Sequence, residues 1–261
     1  MGDARKQSLS HDGFLDLWNR ARELVPDAAL DRKIEQSVAL IERHCRGKRA
    51  GFAWSGGKDS IPLQYVCDAA GVHDCVLGIT RLEYPAFLRW VTDHMPERLV
   101  VVNTGQDLAW LAEHPNMLFP QESRDAAAWF RGVQHRAQRM FYRDRKLDVI
   151  ALGRRLSDGN YVNRDGGKGE PIYTSKGITR LSPIAHWTHA DCFALIQREG
   201  LPIPPIYGWP RGFRVGTHPW AARQWCRDEA HGWSEVFQID PEIVDQAAGV
   251  LPGARQFLEA I

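Results

Sequence analysis

The sequence SGGKDS at residues 55–60, together with the segments on either side of it, indicates the fold class of this chain. The short apolar run Ala50 to Trp54 before it predicts a strand, and Ile61 to Ala70 after it predicts a helix. Glycine lets the backbone approach an anion closely, and the N-terminus of a helix offers that anion free N–H groups. A glycine-rich turn between a strand and a helix therefore predicts a phosphate site.

The polar side chains of this loop fit the same task. Lys58 adds a positive charge, and the hydroxyls of Ser55 and Ser60 add hydrogen-bond donors. The loop differs from a Walker A loop, which has two glycines five positions apart and a lysine followed directly by Ser or Thr. Here the two glycines are adjacent and Asp59 follows the lysine. This difference argues against an ordinary kinase or GTPase.

The loop resembles the pyrophosphate-binding loop of the PP-loop ATP pyrophosphatases, also called adenine nucleotide alpha hydrolases. A second segment narrows the resemblance. Residues 181–188, a predicted helix and residues 200–204 resemble the pattern P-I-x-x-W-T, helix, G-L-P-x-P-x-x-Y of the phosphoadenosine phosphosulfate reductase-like families. These families include sulfonucleotide reductases, the small subunit of ATP sulfurylase and DNA phosphorothioation proteins. Tyr207 and Arg214 follow the segment, and the resemblance makes both of them candidate substrate contacts.

The chain departs from the reductases in its cysteines. Reductases of this branch use a cysteine in a C-terminal Glu-Cys-Gly-Ile-His tail, whereas residues 253–261 contain no cysteine. Many relatives also carry a Cys-x-x-Cys pair after the segment that here is residues 214–216, and this chain lacks it. No pair among the five cysteines has the spacing of a metal knuckle, so neither an iron–sulfur cluster nor zinc is expected. A catalytic or sulfur-carrying role stays open for Cys226, since a basic neighbour lowers the pKa of a thiol.

Composition and charge restrict the class of protein further. The 261 residues are 44% apolar and 25% charged, and the chain is long enough for one large core. No apolar run reaches the ~18 residues that span a bilayer, and the polar residues 1–12 lack the apolar core of a signal peptide. These features predict a cytoplasmic protein with free thiols and no membrane partner. The balance of 33 basic against 32 acidic residues argues against coating nucleic acid by bulk charge.

The order of predicted elements indicates a doubly wound α/β fold of the adenine nucleotide alpha hydrolase type. Strand and helix patterns alternate, which predicts a mostly parallel, five-stranded sheet with helices on both faces. The predicted strands are Ala50 to Trp54, Cys75 to Thr80, Arg98 to Asn103, Asp148 to Gly153 and Ile178 to Ile184. The predicted helices between them are Ile61 to Ala70, Pro85 to His94, Leu108 to His114, Ala126 to Arg145 and His189 to Glu199.

Three consecutive segments are predicted along the chain. Residues 1–48 form an N-terminal helical extension that breaks near Pro26, and residues 49–200 form the PP-loop nucleotide-binding domain. Residues 201–261 form a C-terminal loop and helical extension packed on the same domain. Each extension has two interpretations, a homodimer surface or a cover for the core.

The carboxyl ends of the strands direct attention to the polar residues that follow them, because ligands of such sheets bind there. Arg154 and Arg155 are candidates to bind a substrate phosphate or sulfate, since a guanidinium fits a tetrahedral oxyanion. The sequence does not decide between them, and an ion pair with Asp158 or Asp165 is the alternative. The candidate nucleotide-binding residues are Ser55, Gly56, Gly57, Lys58, Asp59, Ser60, Thr80, Gly105 and Gly153.

Asp59 and Asp107 are candidate ligands for Mg²⁺ on the polyphosphate, because a hard cation prefers carboxylate oxygens. For Asp59 the alternative is structural, since the helix dipole stabilises an acid in the first turn. A basic stretch also has two interpretations, first a solvated helix face and second a surface that guides a phosphorylated or nucleic-acid substrate. That stretch contains Arg131, His135, Arg136, Arg139, Arg143, Arg145 and Lys146.

The intact loop predicts an ATP-dependent enzyme that adenylates a substrate, releases AMP and pyrophosphate and has an unknown acceptor. Its candidate catalytic residues are Lys58, Asp59, Arg154 and Arg155, with ATP and Mg²⁺ as expected cofactors. One alternative is a protein that binds or reduces phosphoadenosine phosphosulfate. The other is a non-catalytic nucleotide-binding subunit that requires a protein partner, in a sulfurylase-like or DNA-modification complex.

Overall fold

The computed structural model of the protein describes residues 9–210, 212, 216–217, 219–220 and 226–261. Its sheet has the strand order β3-β2-β1-β4-β6-β5. Parallel pairs join β1 to β2, β1 to β4 and β4 to β6, whereas β5 pairs with β6 antiparallel. The strands are β1 Ala50–Ala53, β2 Cys75–Ile79, β3 Leu99–Asn103, β4 Val149–Ala151, β5 Ile172–Ser175 and β6 Ile178–Leu181.

The doubly wound, mostly parallel α/β fold is thereby confirmed, with one strand more than the sequence predicts. The additional strand, β5, has only four residues and lies on the edge of the sheet. It is joined to β6 by the two-residue turn Lys176-Gly177, in which both residues have positive φ. Such a turn suits a tight hairpin. A strand this short and half-polar carries too little periodicity to be recognised from the sequence.

Helices connect and surround the strands. The N-terminal pair breaks at Pro26 as predicted, while the predicted helix Ala126 to Arg145 is divided at Val133. Gly132 precedes this break, and glycine and β-branched residues are weak helix formers. The helices are α1 His11–Leu24, α2 Asp27–Cys45, α3 Ser60–Ala69, α4 Pro85–His94, α5 Leu108–Glu113, α6 Ser123–Gly132, α7 Gln134–Asp144, α8 His189–Arg198, α9 Glu229–Ile239, α10 Pro241–Ala248 and α11 Pro252–Glu259.

The chain forms two compact units that interleave along the sequence, whereas the predicted segments are consecutive. The first unit contains Met1–Leu77, Val91–Val101 and Gln138–Pro204, and the second contains Gly78–Trp90, Val102–Ala137 and Pro205–Ile261. Across the described ranges, no helix combines the length and the apolar character that crossing a membrane requires.

In the first unit, the N-terminal helices cover helix α8. Phe14 of α1 packs edge-to-face on Phe193 of α8, with ring centroids 5.2 Å apart. Ser37 of α2 donates to the carbonyl of Pro183 and accepts from the indole N–H of Trp187. All three aromatic rings are buried. Of the two interpretations for this extension, the structure therefore supports a cover for the core.

The second unit has an aromatic core of its own. Trp233 of α9 packs against Phe119 and Trp220, with centroids 5.1 and 5.3 Å away. Gly232 has no room for a side chain, because a Cβ there would lie 2.5 Å from the ring of Phe119. Phe237 and Phe257 pack together between α9 and α11. The C-terminal helices thus bury their apolar faces within this unit.

Candidate nucleotide-binding site

The predicted phosphate loop lies at a switch point of the sheet, within the first unit. Strand β1 has β2 on one side and β4 on the other, so the connections leaving the carboxyl ends of β1 and β4 diverge. Ligands of doubly wound sheets bind in the crevice that such a divergence opens. Residues 54–59 follow β1, and residues 152–155 follow β4. The topology therefore brings these two segments to one edge.

The loop is shaped by one glycine and a pair of serines. Gly56 has a φ of +66°, in the left-handed region, where residues with a Cβ are strained. The hydroxyl of Ser60 accepts from the backbone N–H of Ser55 at 3.1 Å and donates to the carbonyl of Gly57 at 3.1 Å. Ser60 is 5% exposed. Ser60 therefore closes the turn from inside, and Ser55 remains the more accessible hydroxyl of the pair.

Two backbone N–H groups of the loop have no acceptor among the described residues. They belong to Gly56 and Asp59, whereas the N–H groups of Ser60 and Ile61 both donate to the carbonyl of Gly57. Asp59 is the N-cap of helix α3, but its side chain accepts from no N–H of the first turn. Unpaired donors at a glycine turn before a helix are the groups that hold an anion.

Gly153 brings the segment after β4 into contact with the loop. A Cβ at Gly153 would lie 3.2 Å from the carbonyl oxygen of Asp59, which is closer than most side chains approach a backbone atom. Only glycine leaves this approach undisturbed. The prediction that Gly153 belongs to the nucleotide site is not tested directly, yet its position against the loop backbone supports it.

The buried side chain of Arg155 holds the loop through its contact with Asp59. Its side chain is fully buried, and its Nε lies 2.9 Å from Oδ1 of Asp59. The angle at this N–H does not meet hydrogen-bond geometry, so the pair is electrostatic and both atoms lack a hydrogen-bond partner. The other end of the guanidinium is hydrogen-bonded, because Nη2 donates to Asp158 at 3.0 Å and Nη1 to the carbonyl of Trp187 at 3.4 Å.

His189, the first residue of helix α8, completes this buried group. Its Nδ1 lies 3.0 Å from Nη2 of Arg155, which donates to it. Burial, together with the positive charges of Lys58 and Arg155, lowers the pKa of His189 to about 3. The imidazole is therefore neutral at physiological pH and can accept this hydrogen bond. The sequence gives His189 no metal-like spacing, and no signal there identifies it as a partner of Arg155.

Asp59 is held between two cations. Oδ2 lies 2.6 Å from Nζ of Lys58, and Oδ1 faces Arg155. Burial alone would raise the pKa of Asp59, but Lys58 and Arg155 outweigh that effect and lower it. The carboxylate therefore remains charged, and it orients the lysine side chain, which is 13% exposed.

Arg154 and Arg155 are separated by their environments. Arg154 is half-buried, and its Nη1 donates to the hydroxyl of Tyr173 at 2.7 Å and to the carbonyl of Tyr161 at 3.2 Å. Arg155 contributes to the frame of the loop instead. Of the two candidates, only Arg154 presents surface to a substrate.

The predicted residues after β2 and β3 lie in the second unit and have local structural contacts. Thr80 is buried, and its backbone N–H and that of Arg81 donate to the Glu83 carboxylate. Gly105 has a φ of +86° and donates its N–H to the side chain of Asn103. Asp107 caps α5 by accepting from the N–H of Trp110 at 2.8 Å. A nucleotide role for Thr80 and Gly105 remains a prediction.

The remaining candidates are Tyr207, Arg214 and Cys226. Tyr207 lies in a 3-10 turn, Pro205–Gly208, of the second unit, and Arg214 lies outside the described residues. Cys226 is 2% exposed, and its thiol donates to Glu235 over 3.6 Å. A buried thiol bonded to a carboxylate is a poor nucleophile.

Among the comparisons with known proteins, only those with solved structures find similar chains. No family model matches the chain, and no curated protein matches it significantly. A phosphoadenylyl-sulfate reductase from Candida auris, solved as a phosphate complex, is similar with a TM-score of 0.50 and 14% identity, over 70% of this chain and 92% of that one. The U34-tRNA thiolase NcsA from Methanococcus maripaludis, solved with its 4Fe-4S cluster, has a TM-score of 0.43 and 16% identity, over 96% of this chain and 81% of that one. The likeness to the reductase confirms the fold that the sequence predicts, a doubly wound α/β sheet.

The prediction about cofactors requires a correction. It set ATP and Mg²⁺ against any iron–sulfur cluster, yet the tRNA thiolase of similar structure carries such a cluster. Excluding a cluster on the basis of the number and spacing of the cysteines was therefore wrong. No group of three or more His, Cys, Asp or Glu residues in the described part of the chain could hold a metal ion. The predicted Mg²⁺ ligands have other contacts there, Asp59 with two cations and Asp107 with a helix N-terminus.

Proposed function

We propose that the chain binds ATP at residues 55–60 and cleaves it between the α and β phosphates, adenylating a substrate. One observation carries this proposal. The N–H groups of Gly56 and Asp59 find no acceptor among the described residues, at a glycine turn that leads into helix α3 beside Lys58. The two N–H groups and the ammonium of Lys58 are three positively polarised donors, which are the groups that stabilise the charge of a departing pyrophosphate.

The reaction requires no nucleophile from the protein. An oxygen of the acceptor attacks the α-phosphorus, the bond from that phosphorus to the bridging oxygen breaks, and pyrophosphate leaves with the electron pair. Lys58 and the loop N–H groups stabilise the negative charge that develops on pyrophosphate. The acceptor ends as an adenylate, from which a second step can release AMP.

The contacts of Asp59 support a double role for Lys58. In the ligand-free loop Lys58 neutralises Asp59, whose other oxygen faces Arg155. When Lys58 turns toward a phosphate, Arg155 still balances the aspartate. The buried arginine therefore allows the lysine to move without leaving a buried carboxylate uncompensated.

Thermal unfolding with added nucleotide tests the binding step. ATP, supplied with divalent cations so that no cation requirement decides the result, is expected to raise the midpoint. A ligand at 100 times its Kd adds ~2.7 kcal/mol, or roughly 5 °C in a chain of this size. The Lys58→Ala variant is expected to lose most of the shift, whereas Lys48→Ala, which changes an exposed lysine of the same unit, is expected to keep it.

Other ligands distinguish the alternatives. A shift with phosphoadenosine phosphosulfate and none with ATP would contradict the proposal and favour a sulfonucleotide-binding protein. The absence of a shift with either ligand would favour a subunit that binds nucleotide only with its partner. A cytoplasmic location and a homodimer remain predictions that this experiment does not address.

A further inference from the structure

We propose that two tyrosines and two arginines beside the phosphate loop bind a single-stranded nucleic acid, which would serve as the acceptor. This cluster, called the tyrosine platform below, consists of Tyr161, Tyr173, Arg154 and Arg180. All four residues belong to the first unit. The assignment of the strand as acceptor rests on the proposed function, whereas the binding surface is argued from its own contacts.

The tyrosine platform is built around the ring of Tyr173. Tyr161 packs edge-to-face on it, with centroids 4.8 Å apart and planes at 76°. The guanidinium carbon of Arg180 lies 5.8 Å from the same centroid, and Arg180 is the cross-strand partner of Tyr173 in the β5–β6 hairpin. Arg154 donates to the hydroxyl of Tyr173 at 2.7 Å. Four side chains from three segments thus fix one another in place.

One ring of the tyrosine platform is open. Tyr161 is 50% exposed, an unusual exposure for an aromatic ring that is held by neighbours. Aromatic pairs gain from edge-to-face packing, so Tyr161 remains ordered although half of it faces solvent. An ordered, exposed ring next to arginines can stack a nucleobase at little entropic cost.

The loop that carries Tyr161 adds positive charge. Asn163 is buried, and its side chain bonds the backbone of Gly167 and Lys168, which folds the loop into a fixed turn. Arg164 and Lys168 of this loop are exposed and form no ion pair within the described part of the chain, and the same holds for Lys176 at the hairpin turn. Of the nearby acids, Glu170 is paired with Arg43 and His44, and Asp165 is exposed.

The chemistry of this surface favours single strands. Every base has a π-face, and cationic residues next to aromatic rings hold the strand by its phosphates. In a duplex the base faces are covered by their neighbours, so a ring such as Tyr161 has nothing to stack on. Gly153 touches the phosphate loop, and the next residue, Arg154, belongs to the platform and donates to Tyr173. A strand bound on the platform therefore lies beside the nucleotide site.

Fluorescence anisotropy with a labelled, unstructured RNA 12-mer tests the proposal on the full chain. The native protein is expected to bind it, and Tyr161→Ala is expected to weaken binding about tenfold, in the range of one lost stacking contact. Tyr161→Phe keeps the ring and is expected to stay within about twofold of the native affinity. The double variant Lys168→Ala/Lys176→Ala is expected to reduce the slope of log affinity against log salt by about 1.4, from two lost phosphate contacts.

Several outcomes would overturn the proposal. They are absence of binding by the native chain at low salt, equal affinity of native protein and Tyr161→Ala, equal or tighter binding of a matched duplex, and complete competition by millimolar AMP with the same dependence on Tyr161. The control Lys48→Ala is expected to bind like the native chain, and a comparable loss there would also count against the platform. RNA binding that depends on Tyr161 in a protein without any ATP response would retain the surface and remove the proposed function.

Discussion

The two adjacent arginines after β4, Arg154 and Arg155, differ in burial and in what they contact. Arg155 is fully buried among Asp59, Asp158 and His189, and it fixes the loop from inside. Arg154 is half-buried and belongs to the tyrosine platform, where it donates to the hydroxyl of Tyr173. The buried charges around Arg155 therefore fix the geometry of the phosphate loop, whereas the more exposed charge of Arg154 is available to bind a substrate.

The largest effect is expected from removing the buried arginine. Arg155→Ala would leave Asp59 and Asp158 without their shared cation in a low-dielectric site, which costs about 3–5 kcal/mol when one partner of a buried pair is lost. The adjacent Arg154→Ala is expected to cost less than about 1 kcal/mol, since its contacts are partly solvated. Urea unfolding of the two variants measures the difference. Equal destabilisation by both would remove the distinction between them.

A second effect concerns pH, because His189 has a lowered pKa of about 3 in the folded chain, against an ordinary 6.5. Between these two pKa values His189 binds a proton in the unfolded state but not in the folded state. The contribution of His189 to the free energy of unfolding is therefore fully present above pH 6.5 and is lost as the pH drops toward 3. The expected loss is about 1 kcal/mol per pH unit below pH 6.

The measurement is the free energy of unfolding between pH 7 and 4.5, in the native chain and in His189→Gln. The glutamine variant can still accept from Arg155 but cannot titrate, so its stability is expected to depend less on pH. His73→Gln, at an exposed histidine of the same unit, serves as the control. A native-like pH dependence in His189→Gln would show that another group is responsible.

A smaller effect is expected within the loop itself. Gly56 has positive φ and Gly57 does not, so Gly56→Ala is expected to cost about 1 kcal/mol and Gly57→Ala less. The midpoint of urea unfolding reports both. If Gly57→Ala proved the more costly, the loop would have a different conformation from the one described.

The smallest effect on stability is expected at Tyr161. Because half of its surface is exposed, Tyr161→Ala is expected to change the unfolding free energy by no more than about 0.5 kcal/mol. This value would separate a recognition residue from a framework residue such as Arg155. A loss of several kcal/mol would place Tyr161 in the framework.

The sequence was sufficient to predict the phosphate loop and the elements on both sides of it. Short-range patterns predict strand β1 and helix α3, namely an apolar run before the glycines and a helical run after them. The choice between Arg154 and Arg155 could not be made in the same way. Successive side chains of extended backbone point to opposite sides, and the sequence does not show which side is the interior.

The tyrosine platform was missed for a related reason. Its members are separated along the chain, and they meet only because the turn Lys176-Gly177 sets the register that pairs Tyr173 with Arg180. The loop that carries Tyr161 is rich in glycine and polar residues, which resembles an ordinary connection. Contacts of this kind depend on strand register, and strand β5 is itself too short to be predicted.

Product analysis after incubation with ATP shows whether the chain cleaves ATP between the α and β phosphates. Chromatography of the native chain with ATP, divalent cations and the RNA 12-mer is expected to show AMP or an adenylated RNA together with pyrophosphate. Lys58→Ala is expected to reduce that yield by about two orders of magnitude, the usual effect of removing one group that stabilises transition-state charge, and Lys48→Ala to leave it unchanged. Release of ADP and phosphate, or pyrophosphate release that does not depend on Lys58, would contradict cleavage at the loop of residues 55–60.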